Sequence, residues 1–161
     1  MLAGCQSVQQ IESHTLGTGP SMEGKLVPIG GSVITGAAIL RAYDGGVTIT
    51  VNFNGGLPGE YRIVVHATGN CTSSNGFSAG PPWAPPGVAV ASPVAFKGNE
   101  SASLVARLPG YRIDGTDGVQ GRSVVVHAGA QGSLDAQPGV PNNRVACGVI
   151  GTPRSLFAPA S

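Results

Sequence analysis

The chain has 161 residues, nine lysines and arginines against eight acidic residues, and a formal charge of +1, which suits one domain with a substantial core. This balance gives no electrostatic reason to expect nucleic acid or an anionic membrane surface as a partner. No apolar run reaches the length of a transmembrane helix, so the body is expected to be soluble. Its 26 glycines and 13 prolines, with 11% charged residues and no amphipathic helical stretch, point to short strands joined by turns.

Leu2-Ala3-Gly4-Cys5 has the form of a bacterial lipobox, cleaved ahead of its cysteine, which is then acylated. The charged and apolar signal that should precede it is missing, so the chain is expected to begin inside a truncated signal peptide; a chance four-residue match is the alternative. Residues 6 to about 24 are polar and aperiodic, as a flexible leash would be. Residues 1–24 are therefore read as lipobox and tether, and three cysteines leave Cys5 as the odd one if the other two pair.

Strand signals begin near Lys25 and recur to Ile150. The apolar-rich stretch Ser32 to Tyr43 runs into Asp44-Gly45-Gly46, a turn signal. It is followed by Val47-Thr48-Ile49-Thr50-Val51-Asn52-Phe53, in which apolar and polar residues alternate strictly, so a hairpin with one buried face is expected. Further strands are expected at Tyr61 to Ala67, Ser101 to Leu108, Ser123 to His127 and Arg144 to Ile150. Many short strands in one domain imply an all-β fold, a sandwich or flattened Greek-key barrel, over residues 25–152, with 153–161 as a C-terminal tail.

The stretch from Cys71 to Val94 is rich in glycine, serine and proline and reads as a long loop. Pro81, Pro82, Pro85 and Pro86 stiffen it through their fixed φ, and Trp83 among them reads as a packing anchor. No familiar catalytic constellation stands out: the serines lack a G-x-S-x-G setting, there is no phosphate-binding loop, and the acidic residues form no evident acid/base pair.

Four segments in order carry a resemblance. Pro58-Gly59-Glu60-Tyr61-Arg62-Ile63-Val64-Val65-His66-Ala67-Thr68-Gly69-Asn70-Cys71 resembles P-G-x-H-G-x-H-x-H-x-x-G-x-C. Ser78-Ala79-Gly80-Pro81-Pro82-Trp83-Ala84-Pro85 resembles S-A-G-P-H-F-N-P, Gly121-Arg122-Ser123-Val124-Val125-Val126-His127-Ala128-Gly129 resembles G-R-T-L-V-V-H-E, and Asn143-Arg144-Val145-Ala146-Cys147-Gly148-Val149-Ile150 resembles S-R-L-A-C-G-V-I. All four belong to the Cu/Zn superoxide dismutases, and the resemblance spans roughly residues 25 to 152. It implies the same all-β Greek-key fold and a disulfide between Cys71 and Cys147 in an oxidising compartment such as the periplasm, with two free buried cysteines as the alternative.

The resemblance also implies a copper site, of which His66 and His127 are the retained ligands. Val64 and Pro82 occupy the other two copper positions and carry no donor. Zinc needs four ligands and the family takes three histidines from this loop, yet none lies between His66 and His127, so no zinc is expected. Two imidazoles alone suit Cu(I) better than Cu(II), and His14 with Met22 are candidates to complete such a site by folding back. Each histidine could equally be a buried, hydrogen-bonded core residue. Arg144 matches the family's anion-guiding arginine, or it serves structure by bonding carbonyls of the loop that holds Cys71. The expected protein is a lipid-anchored periplasmic domain with a degenerate metal site and no dismutase activity. It would be a binding or structural protein of the envelope, with an envelope protein as its partner and no certain cofactor. The alternative is a copper-binding protein, or a residual dismutase, using His66 and His127 with unorthodox ligands. The membrane would be met only through the lipid on Cys5.

Overall fold

The computed structural model describes residues 21–56, 59–90, 96–98, 101–128, 143–151 and 153–154. Cys5, His14 and the tether up to residue 20 lie outside them, as do residues 91–94 of the long loop. Among the described residues nine strands form in order: β1 (Ser21–Pro28), β2 (Thr35–Tyr43), β3 (Gly46–Asn54), β4 (Gly59–His66), β5 (Phe96–Gly98), β6 (Ser101–Pro109), β7 (Ser123–Ala128), β8 (Arg144–Val149) and β9 (Pro153–Arg154). They pair antiparallel along the path β5-β4-β7-β8-β1-β2-β3-β6, with β9 added beside β1.

The path bends where β1 meets β8 through Val27↔Cys147 and Pro28↔Ala146. Its two end strands, β5 and β6, come back within reach of each other. The result is a curled sheet of the flattened-barrel kind, with β4 leaving its sequence neighbour β3 for β7 and β6 returning to β3, the crossed connections of a Greek key.

Alternation in β3 is met on the core side, where Val47, Ile49, Val51 and Phe53 are buried, and only in part on the other, where Asn52 and Asn54 are exposed, Thr50 is half-buried and Thr48 is buried. The β2–β3 hairpin turns through Asp44 and Gly45 in register Tyr43↔Gly46, and Gly45 takes φ 104°, a conformation other residues avoid. Met22, Leu26, Leu40, Ile63, Val65, Val124, Val126 and Ala146 complete the inner core. Phe53 meets Tyr61 edge-on at 5.1 Å between ring centroids.

Three expectations need correcting. The first strand starts at Ser21, not near Lys25, so residues 21–24 belong to the barrel and not to the tether. The alternation Met22-Gly24-Leu26 was hidden because its middle position is glycine. A Cβ on Gly24 would stand 2.9 Å from the carbonyl oxygen of Val149, so close approach of β8 excludes a side chain there. Met22 is fully buried in the core, which removes it as a ligand able to fold back. The tail also begins with structure, since Pro153 pairs with Met22 and Arg154 with Ser21.

Candidate metal centre

The outer face of β4, β7 and β8 holds the residues singled out in the sequence. Because side chains two apart share a face, Arg62, Val64 and His66 point outward from β4, opposite the core-facing Tyr61, Ile63 and Val65. The register Arg62↔His127, Val64↔Val125 and His66↔Ser123 continues into β8 as Val125↔Cys147 and His127↔Arg144. Val64 and Val125 thus separate the two histidines, which lean diagonally toward each other.

This face is roofed by the long loop. Cys71 and Cys147 form a disulfide, Cα atoms 5.6 Å apart. With Ile29, Ala79 and Val125 they make a second, small apolar cluster beneath the roof. A 3₁₀ turn at Phe77–Ala79 delivers Gly80 over the histidines. The chain then runs antiparallel beside the end of β4, with an isolated bridge between His66 and Pro82. Ala67 donates its N–H to the Pro81 carbonyl and Trp83 donates to that of Val65, both at 2.9 Å. Neither bond asks anything of the Pro82 nitrogen, so proline is tolerated at this edge.

Trp83 anchors the roof. The Arg122 guanidinium lies 3.5 Å from its ring centroid and donates to the carbonyls of Ala67, Gly118 and Thr116. Tyr111 donates its hydroxyl to the Trp83 carbonyl at 3.0 Å and meets the indole edge-on. Proline stiffness, this cation–π stack and the disulfide hold the loop in the places described.

Under the roof both histidines are fully buried. His66 Nδ1 lies 2.7 Å from the Gly80 carbonyl oxygen, and Gly80 itself sits at φ 75°. His66 Nε2 and His127 Nε2 are 3.1 Å apart, with ring planes inclined by 22°. His127 Nδ1 lies 3.1 Å from Oδ1 of Asn143. Burial, chiefly, lowers the His66 pKa to about 4; the bond to Gly80 opposes this, and electrostatic repulsion from Arg144 and then His127 adds to it. Arg144 is 3% exposed and donates through Nη1 to the carbonyls of Gly76 at 2.9 Å and Gly80 at 3.1 Å.

The residues present do not fit the metal their positions suggest. Metal–imidazole bonds of about 2.0–2.1 Å would let one ion touch both Nε2 atoms 3.1 Å apart only as a bent pair, with further corners to fill. A linear two-imidazole Cu(I) site would need about twice one such bond, roughly 4 Å, between the nitrogens. Val64 and Pro82 stand where the further donors would be. Among the described residues no group of three or more His, Cys, Asp or Glu could hold an ion.

The fold, the four ordered motifs and the disulfide together agree with a direct comparison. The family model for copper/zinc superoxide dismutase matches residues 34–150. The chain belongs to the copper/zinc superoxide dismutase family. No curated protein matched it.

Three contributors were not assigned from sequence. Gly80 and Arg122 lay inside the quoted motifs, and their positive φ and carbonyl partners, respectively, are set by the loop's path. Asn143 opens the fourth motif, where the family pattern has serine, and an asparagine following Pro141-Asn142 reads as turn chemistry.

Proposed function

We propose that this chain is a non-dismutating member of its family, a lipid-anchored periplasmic domain that keeps the barrel for a binding or structural role in the envelope. The observation that carries the reading is the closure of the copper position. Two of its four donor positions hold Val64 and Pro82, which carry no donor atom, and the two remaining imidazoles stand 3.1 Å apart in contact with each other. Arg144, which in an active enzyme would face an incoming anion, has its Nη1 engaged by two loop carbonyls and serves the roof. The lipobox ending in Cys5 and the Cys71–Cys147 disulfide both support an oxidising extracytoplasmic compartment.

The test is metal content and dismutation measured together on the chain after exposure to copper and to zinc. The expected result is neither metal in stoichiometric amount and no copper-dependent dismutation. Stoichiometric copper with dismutation would overturn the reading in favour of unorthodox ligation at His66 and His127, and copper without dismutation would move it to copper handling. Val64→His places a third imidazole on the face of His66 and is expected to tighten Cu(II) binding by about tenfold or more, read by competition with a chelator. Acylation is tested separately: labelled fatty acid should be incorporated by the native chain and not by Cys5→Ala.

A further inference from the structure

We propose that His66 and His127 form a directional, metal-independent hydrogen-bond relay, and that Asn143 is the positioning residue that sets its direction. This rests on the reading above, that the pair holds no metal. In the relay the two retained histidines serve to tie β4, β7 and the start of β8 to the roof.

Each link follows from what its atoms can give or accept. A carbonyl has no proton to donate, so at 2.7 Å from the Gly80 oxygen His66 Nδ1 is the protonated nitrogen. In a neutral imidazole the other nitrogen is then bare. His66 Nε2 therefore accepts, and the atom facing it at 3.1 Å is His127 Nε2. Two bare nitrogens at that distance would repel, so His127 carries its proton on Nε2 and donates it to His66. Its Nδ1 is then the bare one and needs a donor.

Asn143 supplies it. With its Oδ1 turned to His127 Nδ1, two acceptors face each other and Asn143 Nδ2 is buried with no partner. The two ends of the amide are nearly alike in shape. Rotated by half a turn, the same side chain donates Nδ2–H to His127 Nδ1, and the buried orphan disappears. The relay then runs from Asn143 Nδ2–H to His127 Nδ1, from His127 Nε2–H to His66 Nε2, and from His66 Nδ1–H to the Gly80 oxygen. Gly80 also accepts from Arg144 at 3.1 Å, and a carbonyl has two lone pairs for the two donors.

The choice of residue matters because an obligate acceptor beside His127 Nδ1 would demand the opposite tautomer. Both Nε2 lone pairs would then face each other, which is what a bound cation requires. An amide can act as donor, and so lets the two imidazoles bond to each other.

The experiment is long-range ¹⁵N–¹H spectroscopy of the full chain, metal-free, with ¹⁵N-labelled histidine. There are three histidines, and His14→Gln assigns the third signal. The expected spectrum shows His66 bare at Nε2, His127 bare at Nδ1, and a scalar coupling between the two Nε2 nitrogens. Asn143→Leu, similar in size and without a donor, is expected to let the Nδ1–H form of His127 appear and to weaken that coupling while His66 keeps its tautomer. If Asn143 were merely structural, the melting temperature would fall and the tautomers would not move, which would overturn its role. A predominant Nδ1–H form of His127 in the unmutated protein, or no coupling, overturns the relay whether or not the variant folds. Stoichiometric copper binding by the same sample would instead overturn the non-metal reading, so the two failures are separable.

Discussion

The inner core of the barrel and the roofed outer face of β4, β7 and β8 are both buried, and they are built on opposite principles. The core is filled by Phe53, Leu26, Leu40, Ile49 and their neighbours, where contact is non-directional and any side chain of the right size contributes. The roofed face buries His66, His127, Arg144 and Ser123, where every polar atom needs a partner of the right kind at the right angle. The first region tolerates drift in sequence. The second depends on directional bonds, and here a cation–π stack, a disulfide and carbonyl acceptors hold it closed.

The largest test of that contrast is the disulfide. Cys71 and Cys147 are 76 residues apart, and closing so long a loop stabilises the fold by about 4 kcal/mol in the chain-entropy model. Reduction should lower the melting temperature and make the Phe77–Ala79 turn accessible to protease before the inner strands exchange their amides. Simultaneous loss of both regions would show that roof and core are one cooperative unit.

Acid should strike the roofed face next. His66 has a folded pKa of about 4 against an unfolded value near 6.5, so the unfolded chain binds more protons between those values and stability rises with pH there. The contribution is fully present above about pH 6.5 and is lost as pH falls toward 4, amounting to about 3 kcal/mol. Burial sets most of it; the Gly80 carbonyl from the loop opposes it, and Arg144 on β8 and His127 on β7 add to it. Urea midpoints across this range should show the slope, and His66→Asn should flatten it; an unchanged slope would mean that the burial of His66 does not govern it.

A smaller effect is expected at the anchor of the roof. Arg122→Ala removes the guanidinium from the Trp83 ring, with an expected cost of about 1–2 kcal/mol. Because Trp83 is the single tryptophan, its emission should shift to longer wavelength as water reaches the indole. Arg122→Lys should recover charge but not the planar stack. An unshifted spectrum in Arg122→Ala would show that prolines and disulfide hold the loop without it.

The smallest effect is expected at Ser123, opposite His66 in register. Its hydroxyl is buried without a hydrogen-bond partner, so Ser123→Ala should change stability by less than about 1 kcal/mol, in the stabilising direction. Marked destabilisation would mean that the hydroxyl takes part in the polar network after all.

What the sequence determined by itself was the part governed by period and composition. Alternation from Val47 to Phe53 and the Asp44-Gly45 turn were enough for the hairpin, because side-chain direction repeats every two residues along a strand whatever lies beyond it, while the barrel's family and the Cys71–Cys147 disulfide were implied by the resemblance of four ordered motifs. It also placed Val64 and Pro82, which carry no donor atom, where the resembling motifs have histidine. It did not show that Met22 lies in the core, because Gly24 interrupts the pattern for the sake of a neighbouring backbone. Nor did it show that Arg144 and His66 share the Gly80 carbonyl or that the two histidines face each other at 3.1 Å. Those contacts join residues 14 to 64 positions apart through directional bonds. Only the tertiary path of the loop over β4 and β7 could decide which atoms meet.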